Sequence, residues 1–227
     1  MLQSIGSPQG EGALLSNLAR VLQLQRRFEE ADELLRRSLA VQEQAPPPAD
    51  SADRARTLLR LGDNLAAQGH LDEAEAAWRE ALGFASGRYE AKVRRHLGQM
   101  LMDRGKLDDA QAAFSKDLEI CRHYRRRGEE AKALDHLGLL HAARGQFESA
   151  MSCFESSLHL KVELGDPVGQ GAVLRHMAEL AWTQERWDEA GQLAVRAVAV
   201  LRDTEDHAQV ARLEEMLSRL RTPANGG

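Results

Sequence analysis

Apolar residues recur every three or four positions along most of the chain, which is the spacing of amphipathic helices. Leu134, Leu137 and Leu140 are one such set. A polar turn containing a glycine, such as Gly145, follows this segment, and glycine at that place is typical of a helix end. A second apolar-periodic segment then begins. The pattern predicts an all-α chain built from antiparallel helix pairs.

The helix pairs follow an internal repeat, in which a Leu-Gly pair precedes a turn glycine, an alanine, an aromatic residue and a leucine at identical spacing. A small residue in the pair lets the two helices approach closely, because a larger side chain would hold their backbones apart. The full copies are Leu61-Gly62, Gly69, Ala74, Trp78, Leu82; Leu97-Gly98, Gly105, Ala110, Phe114, Leu118; and Leu137-Gly138, Gly145, Ala150, Phe154, Leu158. Weaker copies contain Leu18-Ala19 and Met177-Ala178.

These motifs resemble the tetratricopeptide repeat, although the units here are longer than the family's usual length of about 34 residues. The resemblance implies a right-handed superhelical solenoid of five helix pairs, closed by an amphipathic capping helix. Pro46-Pro47-Pro48 separates the first two units. The expected boundaries are a disordered leader at 1–11, repeats at 12–54, 55–90, 91–130, 131–170 and 171–204, a capping helix at 205–221 and a disordered tail at 222–227.

The charge distribution fits this architecture. The chain has 30 Lys and Arg against 35 Asp and Glu, for a formal charge of −5, which argues against a dedicated nucleic-acid binder. The acids often precede the repeated alanine, where the first turn of a helix favours carboxylates. They are Glu29, Glu30, Asp72, Glu73, Asp108, Asp109, Glu148, Asp188 and Glu189. Much of the negative charge therefore has a structural explanation.

The cysteines and the amino terminus indicate a reducing, cytoplasmic location. Cys121 and Cys153 are too few for a disulfide scaffold and have no metal-ligand spacing, and burial is the expected role of both thiols. Residues 1–8 contain no basic segment and no apolar run, so no signal peptide is visible. No catalytic motif is present either. We therefore expect neither an enzyme nor a cofactor or metal.

The resemblance also implies where a ligand would bind, since members of this family contact peptides through fixed positions of the first helices, which line the concave groove. Those positions carry an excess of three positive charges, whereas the remaining residues sum to −8. A basic groove on an acidic protein favours an acidic peptide. The expected partner-binding residues are Asn17, Arg20, Arg56, Arg60, Lys92, Arg95, His96, Gln99, Lys132, His136, Arg175, His176 and Trp182.

Several of these residues have a second interpretation. His96, His136 and His176 occupy one position in consecutive repeats and either contact a ligand or pack between repeats, with a metal site the weakest alternative. Trp182 is expected to anchor a ligand, whereas Trp78 and Trp187 are expected in the core. The cationic run at 122–127 either complements the end of a second helix or forms a phosphate or nucleic-acid patch.

These features favour a non-enzymatic adaptor that binds a partner protein or peptide, with an acidic ligand expected and the chain monomeric or weakly self-associating. The family's carboxylate clamp for chaperone tails is not expected, because no repeat pairs the required Lys and Asn. A self-assembling scaffold is one alternative. The other is the sensor portion of a larger regulator.

Overall fold

A computed structural model of the chain describes residues 8–44 and 51–221. Within those ranges every regular element is a helix, which confirms the predicted all-α class. The first helix begins at Pro8, so residues 8–11 of the expected disordered leader are helical, while the rest of the leader, the triple proline and the tail lie outside the described residues. The helices are α1 (Pro8–Leu24), α2 (Phe28–Glu43), α3 (Ser51–Ala67), α4 (Leu71–Leu82), α5 (Arg88–Asp103), α6 (Leu107–His123), α7 (Arg127–Ala143), α8 (Phe147–Glu163), α9 (Pro167–Thr183), α10 (Trp187–Leu201) and α11 (His207–Arg221).

The helices form two compact units, with the first ending at Met100 and the second beginning at Leu101. In the first unit α1 packs on α2, α3 packs on α4, and Leu35, Leu58 and Trp78 lie in the core. In the second unit α7 packs on α8 and α9 packs on α10. Its buried side chains include Phe154 and Leu201. Helices joined by short turns thus bury one apolar face against the next helix.

In two of the repeats the glycine of the Leu-Gly pair lies against the side chain that follows it sixteen positions later. A methyl group built on Gly138 would come within 2.4 Å of the Phe154 ring, and one on Gly62 within 2.3 Å of the Trp78 indole. These contacts confirm that the glycine allows close helix approach. Where the later side chain is the smaller Leu35 or Ala194, alanine replaces the glycine.

The turns inside the helix pairs use a left-handed residue, for which glycine is the favoured choice. Gly69, Gly105 and Gly145 have φ of +84°, +73° and +71°, as the sequence predicted. Arg26 and Glu185 occupy the corresponding turns with φ of +59° and +58°. A side chain in this conformation costs about 1 kcal/mol or more.

Replacing Arg26 by glycine is therefore expected to stabilise the first unit by up to about 1 kcal/mol, since the strain at this turn is removed. Urea denaturation followed by circular dichroism measures the change. Arg27 is a suitable control, because its φ is −90° and glycine there relieves nothing. Equal effects of the two substitutions would contradict the strain at Arg26.

The last helix covers the end of the second unit. Leu213 of α11 is 1% exposed, whereas Arg212, Glu214 and Glu215 of the same helix face outward. One apolar and one polar face are what a terminal unit of a stacked array requires. None of the described helices combines the length and the apolar character needed to cross a membrane.

Candidate functional site

In the first unit, one arginine joins two neighbouring first helices. The Nη1 atom of Arg60 on α3 donates to the backbone oxygen of Ser16 at 2.6 Å, to the Ser16 hydroxyl at 2.8 Å and to Asn17 Oδ1 at 3.1 Å. All three acceptors are neutral. The Arg60 guanidinium is thus held in place while its charge stays uncompensated by these partners.

Two further arginines lie beside Arg60. Burial, followed by the charges of Arg56 and Arg20, lowers the pKa of the Arg60 guanidinium. Arg56 forms an ion pair with Asp53, but its Nε atom is buried and has no hydrogen-bond partner among the described residues. Arg20 is exposed, and no described residue pairs with it. We call Arg20, Arg56 and Arg60 the arginine cluster, and Asp53 is the carboxylate paired within it.

Buried amides fix the helices that carry the cluster. The Gln23 side chain on α1 donates to the Arg60 backbone oxygen at 3.0 Å and to Asn64 Oδ1 at 3.3 Å. Asn64, which is 1% exposed, donates to the Phe28 backbone oxygen at 2.9 Å. Because buried amides without partners are costly, these bonds specify how α1 and α3 meet. The cluster therefore lies on a rigid base.

The other cations expected at the binding site in the first unit, Lys92 and Arg95, are less available. Lys92 Nζ lies 3.6 Å from Asp63 Oδ2, so a carboxylate already faces it. Arg95 is only 8% exposed, and its expected position on an accessible ligand-binding face was wrong. The helical register turns Arg95 inward. Lys92 and Arg95 therefore add little to the accessible positive charge.

The cations on the first helices of the second unit are compensated. Lys132 Nζ lies 2.9 Å from Glu129, and Arg175 Nη1 donates to Glu179 at 2.6 Å. Arg175 also donates to His176 Nε2 at 2.8 Å. The positive charge predicted for the first helices thus stays accessible mainly at the arginine cluster of the first unit.

The three histidines lie against the aromatic residues of the repeats. The His96 ring stacks on Trp78 with centroids 5.2 Å apart, His136 lies 5.3 Å from Phe114, and His176 lies 5.8 Å from Phe154. These contacts support the packing interpretation. In the described part of the chain, no three His, Cys, Asp or Glu side chains gather in a metal-binding arrangement.

His176 is the most enclosed of the three, with 11% of its side chain exposed. Its Nδ1 atom lies 2.8 Å from Asp135 Oδ1. Because arginine can only donate, the bond from Arg175 makes Nε2 an acceptor and places the ring proton on Nδ1, facing Asp135. A ligand would have to displace one of these bonds to reach the ring, so direct contact with His176 is disfavoured.

Trp182 lies at the end of the first-helix face of the second unit. It borders a pocket of about 310 Å³ together with Glu179, Arg212 and Met216. Its ring meets that of Trp187 edge to face, with centroids 5.0 Å apart. Trp78 is buried as predicted, but the core position predicted for Trp187 was wrong, because this residue begins α10 and remains 46% exposed.

The expected site residues therefore divide by accessibility. Sequence reasoning did not mark Tyr89, which lies near Arg60, because it precedes the first helix position that the family pattern marks. Asn17, Arg20, Lys92 and Lys132 are exposed; Arg56, Arg60, His96, Gln99, His136, Arg175, His176 and Trp182 are partly buried; and Arg95 is buried.

The cationic run and the cysteines have structural contacts. Arg122 and His123 close the last turn of α6, where cations complement the helix dipole, and Arg122 Nε donates to Glu130 at 2.8 Å. Cys121 is fully buried as expected, and its sulfur lies 3.3 Å from Asp117. Cys153 is partly buried, and burial raises the pKa of its thiol.

Solved structures similar to this chain share its helix-pair fold. BtubC from P. vanneervenii is 17% identical with a TM-score of 0.72, over 97% of this chain and 86% of that one. A STAND protein with a tetratricopeptide repeat sensor from Pyrococcus horikoshii is 16% identical with a TM-score of 0.76, over 91% of this chain but 32% of that one. A Rap protein complexed with competence and sporulation factor is 14% identical with a TM-score of 0.77, over 93% of this chain and 62% of that one.

These identities establish the fold and no more. Among curated proteins, none matches the chain by sequence. The tetratricopeptide repeat family model, in contrast, matches residues 11–86 and 89–161, which is more than half of the chain. These two ranges contain the three full copies of the repeat. The protein therefore belongs to the tetratricopeptide repeat family.

Proposed function

We propose that the protein is a non-enzymatic interaction module that binds an acidic segment of a partner protein on the first helices of its first unit. Proteins of this family bind other proteins through stacked helix pairs. The observation that supports an acidic ligand is the arginine cluster, in which three guanidinium groups lie beside one paired carboxylate, Asp53. Such a cluster attracts and orients carboxylates.

The guanidinium groups of the arginine cluster differ in how accessible they are to a ligand. Arg20 is exposed and can reach a ligand, whereas Arg56 and Arg60 are partly buried and place their positive charge beside it. A ligand carboxylate would gain charge-assisted hydrogen bonds, which are shorter and stronger than neutral ones. Arg60 is held by Ser16 and Asn17, so little conformational entropy remains to be lost there on binding.

Reversing the charge of Arg20 is expected to weaken binding of an acidic hexapeptide of alternating Asp and Glu by about tenfold, because one of three converging cations becomes an anion. Isothermal titration calorimetry at low salt measures the affinity. Arg20 suits the test because it is exposed and its replacement leaves the amide network intact.

Arg196→Glu is the matched control, since Arg196 is exposed on α10 of the second unit and the net charge changes equally. Affinity within about twofold of the unmodified protein is expected for this control. If Arg20→Glu and Arg196→Glu weaken binding equally, only the overall charge matters and the proposed site is wrong.

Self-assembly is the alternative function that a specific observation favours. Leu14, Leu18 and Val21 form a row along α1 and are 54%, 51% and 49% exposed. Paired copies could bury this row. Light scattering over a concentration series distinguishes an interaction module from a self-assembling scaffold. A module with a cytoplasmic partner is expected to be monomeric, or only weakly associating, when that partner is absent.

A further inference from the structure

The second helices of the second unit carry an apolar surface that the proposed acidic-peptide site does not use. A groove of about 470 Å³ runs between α10 and α11. Its exposed walls include Trp187 and Val195, which are 46% and 54% exposed, and Leu217 and Leu220 line the α11 side. We call this the α10–α11 groove.

The groove is open because one residue of its floor has no side chain. Gly191 lies midway between Trp187 and Val195 on the same face of α10. A methyl group built there would come within 3.4 Å of the Leu220 side chain. Grooves between two helices with exposed apolar walls are the shape in which amphipathic helices bind.

The charges around the groove indicate the chemistry of its occupant. Asp188 lines the groove. Glu148 and Glu155 line a second pit, of about 260 Å³, whose lining residue Arg186 directly precedes Trp187 of the groove in the chain. No described residue pairs with any of these three carboxylates. The cation of the pit, Arg186, is already paired with Glu189. Carboxylates without a side-chain partner beside an apolar groove favour a cationic partner.

We propose that the α10–α11 groove binds an amphipathic helix of a partner protein, with apolar side chains seated against Trp187 and Val195 and flanking lysine or arginine side chains beside Glu148, Glu155 and Asp188. This site lies in the second unit and takes a ligand of the opposite charge to that of the arginine cluster. The two sites would let one chain hold two different segments.

The proposal is tested with a 14-residue peptide of leucine and lysine whose leucines follow helical spacing, and with a peptide in which glutamate replaces each lysine. The full-length protein carrying Arg20→Glu, which weakens the proposed acidic-peptide site, is expected to bind the lysine peptide at least about tenfold more tightly than the glutamate peptide in titration calorimetry. Equal affinity for the two peptides would overturn the proposal.

Two substitutions separate groove binding from general attraction between opposite charges. Gly191→Leu fills the groove without changing the charge and is expected to weaken binding of the lysine peptide by about tenfold or more. Ala199→Leu adds the same side chain at an exposed position of α10 outside the groove lining and is the control. Circular dichroism confirms that both variants are folded.

Other outcomes would assign the groove differently. If Gly191→Leu leaves affinity unchanged, the peptide binds elsewhere and the proposal is wrong. If the unmodified protein is a dimer and Gly191→Leu makes it a monomer, a second copy of the chain occupies the groove. If a chain truncated after residue 221 binds the lysine peptide more than about tenfold more tightly than the full-length chain, the groove is assigned to the protein's own tail. Arg20→Glu should not weaken the lysine peptide, which keeps this test separate from that of the arginine cluster.

Discussion

Gly138→Leu is expected to lower the free energy of unfolding by about 3 kcal/mol or more, which is the upper range for forcing extra atoms into a packed core. The reason is the Phe154 ring, which is 1% exposed and would lie within 2.4 Å of the first added carbon. Neither ring nor helix can move without disturbing neighbours packed at crystal-like density. Urea denaturation followed by circular dichroism measures the loss.

A double-mutant cycle ties this effect to the ring. Gly138→Ala alone is expected to cost about 1–2 kcal/mol, as overpacking outweighs the better helix propensity of alanine. Combined with Phe154→Leu, the pair reproduces Ala19 and Leu35 of the first repeat, so the two costs should not add. Strictly additive costs would show that Phe154 does not limit the size of residue 138.

Asp166→Ala is expected to cost about 3 kcal/mol, because it strands a buried ammonium group and removes a helix cap. Lys161 Nζ lies 2.8 Å from Asp166 Oδ2, and only 8% of the lysine side chain is exposed. The other carboxylate oxygen accepts from the Gly169 backbone at 2.9 Å and caps α9. Urea unfolding measures the loss.

Two variants separate the contributions at this site. Asp166→Ser keeps a cap but not the charge, so it is expected to recover about 1 kcal/mol of the loss. Lys161→Met combined with Asp166→Ala removes both charges and should be less costly than Asp166→Ala alone. A double variant that is less stable than the single one would contradict a stranded lysine.

The ion pair between Lys161 and Asp166 also makes the stability of the fold depend on pH. Burial raises the pKa of Asp166, but the hydrogen bonds from Lys161 and from the Gly169 backbone outweigh it and lower the pKa overall. A carboxyl with a lowered pKa stabilises the fold fully above the pKa of the unfolded chain, about 3.9, and ceases to do so as pH falls through the folded value. The difference in the free energy of unfolding between the unmodified protein and Asp166→Asn should therefore become smaller below about pH 4.

The spacing of small, apolar and acidic residues was enough to predict the helix pairs, because each repeat must bury one face and cap its own helices. The positions of Gly62, Gly138 and the left-handed turn glycines followed directly from that repetition. Because three copies share the same spacing of small and apolar residues, the repeat can be recognised, whereas a single copy would not be distinguishable from chance. The fold was therefore largely predictable.

The site was less predictable, because ligand-binding surfaces depend on side-chain partners that do not repeat. Arg95 and Arg60 share a helical face in the family pattern, yet one is buried and the other is held by Ser16. Trp187 looked like a core residue, but it begins a helix and stays exposed. Which cation is compensated depends on contacts between helices, and one sequence does not contain that information.

The arginine cluster is tested most directly by NMR of the arginine Nε–Hε groups in ¹⁵N-labelled protein titrated with the Asp-Glu hexapeptide. Arg20, Arg56 and Arg60 are expected to shift together and to saturate at one affinity, with the largest change at Arg20, which is the exposed member of the cluster. Shifts confined to arginines outside the cluster, such as those at 122–127, would contradict binding of acidic segments at this site.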